Sequence, residues 1–413
     1  MKNAAVGLFK NERLGLLLIV FVGLVIRFST IGAFKHTPES DELAYQSMAL
    51  NLIEGNGIVD SMGNHAMYSV GYALFVLAPI FAIFGNKIFF ARIANALLGG
   101  LAIILCHAVA KKAGCNRPGR LLAAAIWAVY LPASVYVVYL AKENLMIPLM
   151  LCVVWCALSL ATKPLFSICA ACGVLFGLLA LTGNLALCLA APVALSLVFM
   201  TAKPGQKLIL SMSILIIAIL VASPWMIRND RMLGAPLLST NGGFNLYLGN
   251  NPAATGMFVS IADTPRGKTW EGLRKKGELI ASETLKEDAI AWIKDNPSSF
   301  ALLALKKMVI FWMPPFHEGK GQGSLAESVI RRLWSIQFIL LLATALSSLV
   351  IKRLRNHSSA ILRFSVVCFS SSHMLFYVIF RYREPIMPLI CILSAMTIQT
   401  VMEATNFQHR RTG

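Results

Sequence analysis

The feature that most limits what this chain can become is its succession of long apolar runs, of which LGLLLIVFVGLVIRFSTIGA at 14–33 is the first. A helix needs ~20 predominantly apolar residues to cross a hydrocarbon core of about 30 Å. On that measure, spans are expected near 14–33, 88–110, 120–140, 145–162, 164–182, 185–201, 207–225, 334–351, 361–380 and 385–402. Composition agrees, since 57% of the 413 residues are hydrophobic and only 14% are charged, which excludes an ordinary soluble domain. Backbone polar groups in lipid must be satisfied within the segment. The expected fold is therefore all-α, a multi-pass transmembrane bundle of about ten spans.

A net charge of +18 does not make the chain a nucleic-acid binder, because its cations sit in short clusters between the runs. Lys2, Lys10 and Arg13, then Lys111, Lys112, Arg117 and Arg120, then Lys163, Lys203 and Lys207, then Lys352, Arg353 and Arg355, and finally Arg410 and Arg411 all fall on one side. The positive-inside rule makes that side cytoplasmic, with both termini inside and the chain in the inner (plasma) membrane. The first run is long and lacks a small-residue cleavage site, so it reads as a retained span.

Two apolar stretches do not fit as spans. Counting 68–85 as one would invert every later loop, so it is expected to be re-entrant or surface-hugging. ALLALKKMVIFWMPP at 301–315 is too short, and Lys306 and Lys307 interrupt it. The chain then divides into three regions: an N-terminal module 1–225 that includes a first outer loop at 34–87, a second outer piece 226–333 with juxtamembrane helices, and C-terminal spans 334–413. None of the nine cysteines lies between Arg228 and Arg332, and no disulfide framework is implied. Cys169 and Cys172 form a CxxC in the run SICAACGVLFGLL, where packing by small residues outweighs redox or metal work.

The outer loops carry the residues with chemical potential. PESDELAY at 38–45 places Glu39, Asp41 and Glu42 directly after a span. Tyr45, Met48, Ala49, Leu52 and Ile53 recur at helical spacing behind them, giving a short amphipathic helix expected to lie on the membrane. Ser40 is a favoured N-cap, and carboxylates in a first turn are stabilising. Capping accounts for one acid, whereas two side by side also suit a base and its partner.

Lys142, Glu143 and Asn144 form a polar turn on the same face, which a turn between spans requires in any case. Arg381 and Arg383 stand against the positive-inside trend at the outer end of a span, and Arg27 and Arg92 lie nearer the hydrophobic layer. Either of the last two can snorkel to the headgroups. Four arginines beside paired carboxylates also suit a lipid phosphate, because guanidinium presents planar paired donors. Lys142, His65 and Tyr382 face the same outer surface as candidates to line a substrate.

With these pieces assembled, the chain resembles the GT-C class of membrane glycosyltransferases, specifically the dolichyl-phosphate-mannose protein mannosyltransferase type (glycosyltransferase family 39) and its bacterial relatives, including the lipid A aminoarabinose transferases. The resemblance rests on SDELAYQSMALNLIEGNG, FFARIANALLGGLAIILCHAVAKKAG, VYLAKENLMIPLML, SPWMIRNDRMLGAPLLSTNGGFNLYLGNNPAATG, AIAWIKDNPSSFALLALKK and FRYREPIMPLI, six pieces in the family's order. It implies a GT-C-like fold and transfer of a sugar from a polyprenyl-phosphate donor, on the non-cytoplasmic face, to the hydroxyl of a lipid- or glycan-linked acceptor, with lipopolysaccharide and other cell-envelope glycans as the setting. It places a general base or acceptor-orienting carboxylate on Asp41 with Glu42 beside it, a second acid on Glu143, and donor-phosphate cations on Arg381 and Arg383, with Arg92 a third. No metal site is assigned. Relatives work with or without a divalent metal, and Asp41, Glu42 and Glu143 are the carboxylates one would use. The sequence departs from relatives in reading YSVGYALF for a Pro-Gly-Tyr-Pro-like turn and LTGNLAL where Thr-Arg-Pro is common. The alternative from another class is a carrier or flippase of lipid-linked sugars, which would show ionisable residues at mid-membrane.

Overall fold

The computed structural model describes residues 11–314 and 325–412. Lys2 and Lys10 of the expected cytoplasmic clusters lie outside the described residues, as do Pro315 and the side chains of Arg410 and Arg411. Among the described residues the chain is helical, with one isolated bridge between Met257 and Val378.

The N-terminal part runs α1 (Glu12–Ala33), α2 (Asp41–Ile53), α3 (Ala73–Phe84), α4 (Ile88–Lys112), α5 (Arg117–Ala128), α6 (Leu131–Val135), α7 (Glu143–Leu160), α8 (Phe166–Thr182), α9 (Ala190–Phe199) and α10 (Pro204–Leu233). Then come α11 (Asn241–Gly249), α12 (Glu278–Asp295), α13 (Pro297–Trp312), α14 (Leu325–Ser347), α15 (His357–His373) and α16 (Met387–Thr412), with a 3₁₀ segment at Phe380–Ile386 leading into α16. Each apolar run named from the sequence is helical over most of its length among the described residues. Among the described residues six helices are long and apolar enough to cross a membrane, or seven if a bent pair counts as one span.

The differences from expectation have local causes. The run at 120–140 is not one rod: α5 and the segment Leu131–Val138 meet at 58°, where Pro132 enters the next helix. The run expected to end at 225 continues to Leu233 and stops where Gly234 adopts a left-handed φ of 78°. Helix α3 has 12 residues, ~18 Å of helix, too short to cross. Helix α2 does not rest on lipid through the face read from its sequence. Tyr45, Met48 and Ala49 are buried in a cluster with Tyr72, Leu77 and Phe81, so that face packs on α3.

The bundle core is built by close helix approach. Gly173 and Gly177 on α8 press against α10, where an added Cβ would lie 2.8 Å from the Ile214 carbonyl and 2.4 Å from Val221. Small residues allow such approach where lipid supplies no hydrophobic drive. Cys169 and Cys172 are buried, free and part of this packing. On the outer side Gly249 closes α11 against the chain at Phe376 and Tyr377, where an added Cβ would lie 2.5 Å from the Phe376 carbonyl carbon and 2.7 Å from the Tyr377 nitrogen, and the Val378 N–H donates to the Gly256 carbonyl at 3.0 Å. These contacts tie the second outer piece to the chain just ahead of Arg381.

Candidate active site

A sharp bend precedes α2. Ser40 has φ 49° and ψ −116°, the only positive φ at a non-glycine among the described residues, and its side chain caps nothing in the helix. The capping expected of Ser40 is therefore not made. This backbone conformation stands directly before Asp41, the first residue of α2. Such a conformation costs about 1–3 kcal/mol and is held by its surroundings.

Asp41 forms an ion pair with Arg381, whose Nη2 donates to Asp41 Oδ2, while Arg381 Nε lies 3.8 Å from Glu143 Oε1. Three elements far apart in the chain thus meet: the N-terminus of α2, the N-terminus of α7 and the 3₁₀ segment before α16. Both acids occupy helix first turns, where the dipole favours a negative charge. Arg381 also stands over the ring of Tyr382 at 5.9 Å. Below Asp41, Tyr45 and Tyr68 are held protonated, their hydroxyls pushed up first by burial and then by the Asp41 charge.

Glu143 belongs to the wall of a cavity of about 370 Å³, of the size that takes small ligands. Its polar lining comes from Lys142, Asn184, Ser239, Asn241 and Asn245, and its apolar side from Met146, Phe369, Phe376 and Tyr377. Lys142 and Tyr382, both named from the sequence, line it. Asn241 and Asn245 are one helical turn apart on α11 and bond to each other. Asn184 donates to Ser239 at 3.1 Å and keeps its amide oxygen buried and unpartnered. The amides were not singled out in the sequence; the signal was there in NGGFN, where two asparagines four apart share a helix face.

Other expected residues are not brought here. Glu42 turns from Asp41, as adjacent residues on a helix must. It is buried, accepts the Leu140 N–H at 3.0 Å and meets His36 Nε2 at 2.7 Å. Arg383 is fully buried, donates to the carbonyls of Phe311 and Met313 at 3.2 and 2.7 Å, and lies 4.0 Å from the Phe338 ring centre. Arg92 donates to the carbonyls of Val138 and His36. His65 sits where Glu278 and Arg228 grip its backbone, away from the cavity. Arg27 is buried within α1 and donates to the carbonyls of Gly23 and Ala128 rather than snorkelling.

Comparison with known proteins adds a family and a fold. The family described as dolichyl-phosphate-mannose-protein mannosyltransferase matches residues 72–227. No curated protein matches the chain. The Archaeoglobus fulgidus oligosaccharyltransferase in its apo form is similar in structure at a TM-score of 0.56 and 13% identity, over 97% of this chain and 52% of that one. The archaeal oligosaccharyltransferase AglB from Archaeoglobus fulgidus, in complex with an inhibitory peptide and a dolichol-phosphate, is similar at 0.52 and 13%, over 97% and 51%. ArnT from Cupriavidus metallidurans bound to undecaprenyl phosphate matches at 0.46 and 14%, over 93% and 77%. The chain spans about half the length of the oligosaccharyltransferases. The resemblance to GT-C glycosyltransferases read from the sequence stands, and the fold of this all-α chain is similar to that of about half of the oligosaccharyltransferase.

Proposed function

We propose that this chain is a membrane glycosyltransferase that moves a sugar from a polyprenyl-phosphate donor to the hydroxyl of a lipid- or glycan-linked acceptor, on the non-cytoplasmic face of the inner membrane. The observation that carries the reading is the meeting of Asp41, Arg381 and Glu143 beside a cavity walled by Lys142 and amide side chains. The family match over 72–227 and the dolichol-phosphate held by the structurally similar AglB support the same class of donor.

In this reading the amides of Asn184, Asn241 and Asn245 hydrogen-bond the sugar hydroxyls, and the apolar wall receives the ring face. The acceptor oxygen attacks the anomeric carbon from the side opposite the phosphate, so the configuration inverts. Its proton passes to the Asp41 carboxylate as the new C–O bond forms, and the electron pair of the breaking bond leaves with the prenyl phosphate. The Lys142 ammonium and the Arg381 guanidinium supply the fixed positive charge that the departing phosphate needs.

The test is to incubate the purified protein with radiolabelled polyprenyl-phosphate sugar and a membrane lipid fraction. Label on a new acceptor supports transfer. Label that only crosses a vesicle bilayer, still on its carrier, makes the chain a carrier and overturns the reading.

A further inference from the structure

Asp41 and Glu143 are the two acids that a divalent cation would use at this site, and the place between them is already filled. A cation such as Mg²⁺ or Mn²⁺ gathers oxygen ligands about 2.0–2.6 Å away around one point. Here the Arg381 guanidinium occupies that point, with Nη2 on Asp41 Oδ2 and Nε 3.8 Å from Glu143 Oε1. The third acid in the sequence, Glu42, is committed to His36 and to the Leu140 N–H. Lys142 adds another positive charge to the cavity wall. Among the described residues no group of three or more His, Cys, Asp or Glu side chains could hold a metal. A dication would have to sit against a guanidinium that cannot lose its proton. The residues present do not fit a divalent metal while Arg381 is in place.

We propose that Arg381 is a built-in replacement for a divalent cation. Its guanidinium bonds Asp41 through Nη2, stands 3.8 Å from Glu143 at Nε, and keeps one positive charge between the two acids, so that transfer proceeds without metal. The inference rests on the transferase reading of the same cavity. Arg381 also stands over the ring of Tyr382 at 5.9 Å, and the chain three residues ahead of it is anchored where the Val378 N–H donates to the Gly256 carbonyl.

The experiment uses the purified full chain in detergent, stripped with EDTA, and compares wild type with Arg381→Ala and Arg381→Lys. Mn²⁺ binding is measured by electron paramagnetic resonance, and sugar transfer is measured with EDTA or added Mn²⁺. Wild type is expected to hold no stoichiometric Mn²⁺ and to keep transfer within about twofold in EDTA. Arg381→Ala is expected to lose about a hundredfold in transfer, to gain a Mn²⁺ site on the freed carboxylates, and to recover part of its rate with Mn²⁺. Arg381→Lys keeps a cation and is expected to stay Mn²⁺-free with partial activity. A bound Mn²⁺ in wild type, loss of its transfer in EDTA, or an Arg381→Ala protein that melts like wild type yet takes up no Mn²⁺ would each overturn the proposal. Absence of transfer from wild type with every donor would instead fail the transferase reading, and the Mn²⁺ spectra would still judge the cation replacement.

Discussion

Arg381 and Arg383 are two residues apart, yet one meets Asp41 and Glu143 beside the cavity and the other is sealed in the bundle against the carbonyls of Phe311 and Met313. On a 3₁₀ segment, successive side chains turn by about 120°, so neighbours two apart cannot share a direction. Their replacements should separate accordingly. Arg383→Met should lower stability by about 2–4 kcal/mol, because the carbonyls lose their charged donor, while the folded fraction keeps its transfer rate. Arg381→Ala should leave the melting midpoint nearly unchanged and, without added Mn²⁺, lower transfer about a hundredfold. Thermal unfolding in detergent beside a transfer assay reads both; equal loss of activity in folded Arg383→Met would contradict the assignment.

Asp41 and Glu42 should divide in the same way. Asp41→Asn should abolish transfer with membrane insertion intact. Glu42→Gln should cost stability, since the Leu140 N–H and His36 lose a charged acceptor, by about 1–3 kcal/mol, with the turnover of folded protein altered only a few-fold. Full activity in Asp41→Asn would remove it from the chemistry.

Ser40 carries backbone strain that can be released. Gly adopts φ 49° without a Cβ penalty, so Ser40→Gly should be neutral or stabilising by up to about 1 kcal/mol, and Ser40→Val should destabilise by more than that. If Ser40→Val melts like wild type, the strained turn does not exist in the protein.

Lys307 offers a test by pH. It is fully buried on α13, donates to Asn250 Oδ1 at 3.0 Å and to the Met374 carbonyl at 3.2 Å, and burial pulls its ammonium down to about 8. A lysine whose folded value lies below its unfolded value disfavours the fold while both states are protonated. That penalty, on the order of 3 kcal/mol, is relieved as pH rises from about 8 towards 10. The melting midpoint should therefore climb over that range in wild type and not in Lys307→Met. A flat wild-type profile would rule this out.

The amides of the cavity should govern binding more than the chemical step. Asn241→Ala and Asn245→Ala should each raise the donor KM by about five- to tenfold with little change in kcat, as for a neutral hydrogen bond worth about 1 kcal/mol. A fall in kcat alone would place them at the reacting atoms instead.

The apolar runs by themselves determined that this chain is a helical membrane bundle, because hydrophobic length is a local quantity that lipid reads segment by segment. The sequence also singled out Asp41, Glu143 and Arg381 as residues with chemical potential, through acids at helix starts and an arginine on the wrong side of a membrane. Which of the neighbouring charges meet one another beside the cavity was settled only by tertiary packing. Glu42 has the same carboxylate chemistry as Asp41, and Arg383 the same guanidinium as Arg381, and no spacing distinguishes a residue in the Asp41–Arg381–Glu143 cluster from one turned 100° or 120° away to backbone partners. The bend of α5 against the following helix, the extension of α10 to Gly234 and the seating of α2 on α3 likewise depended on what each element found to pack against.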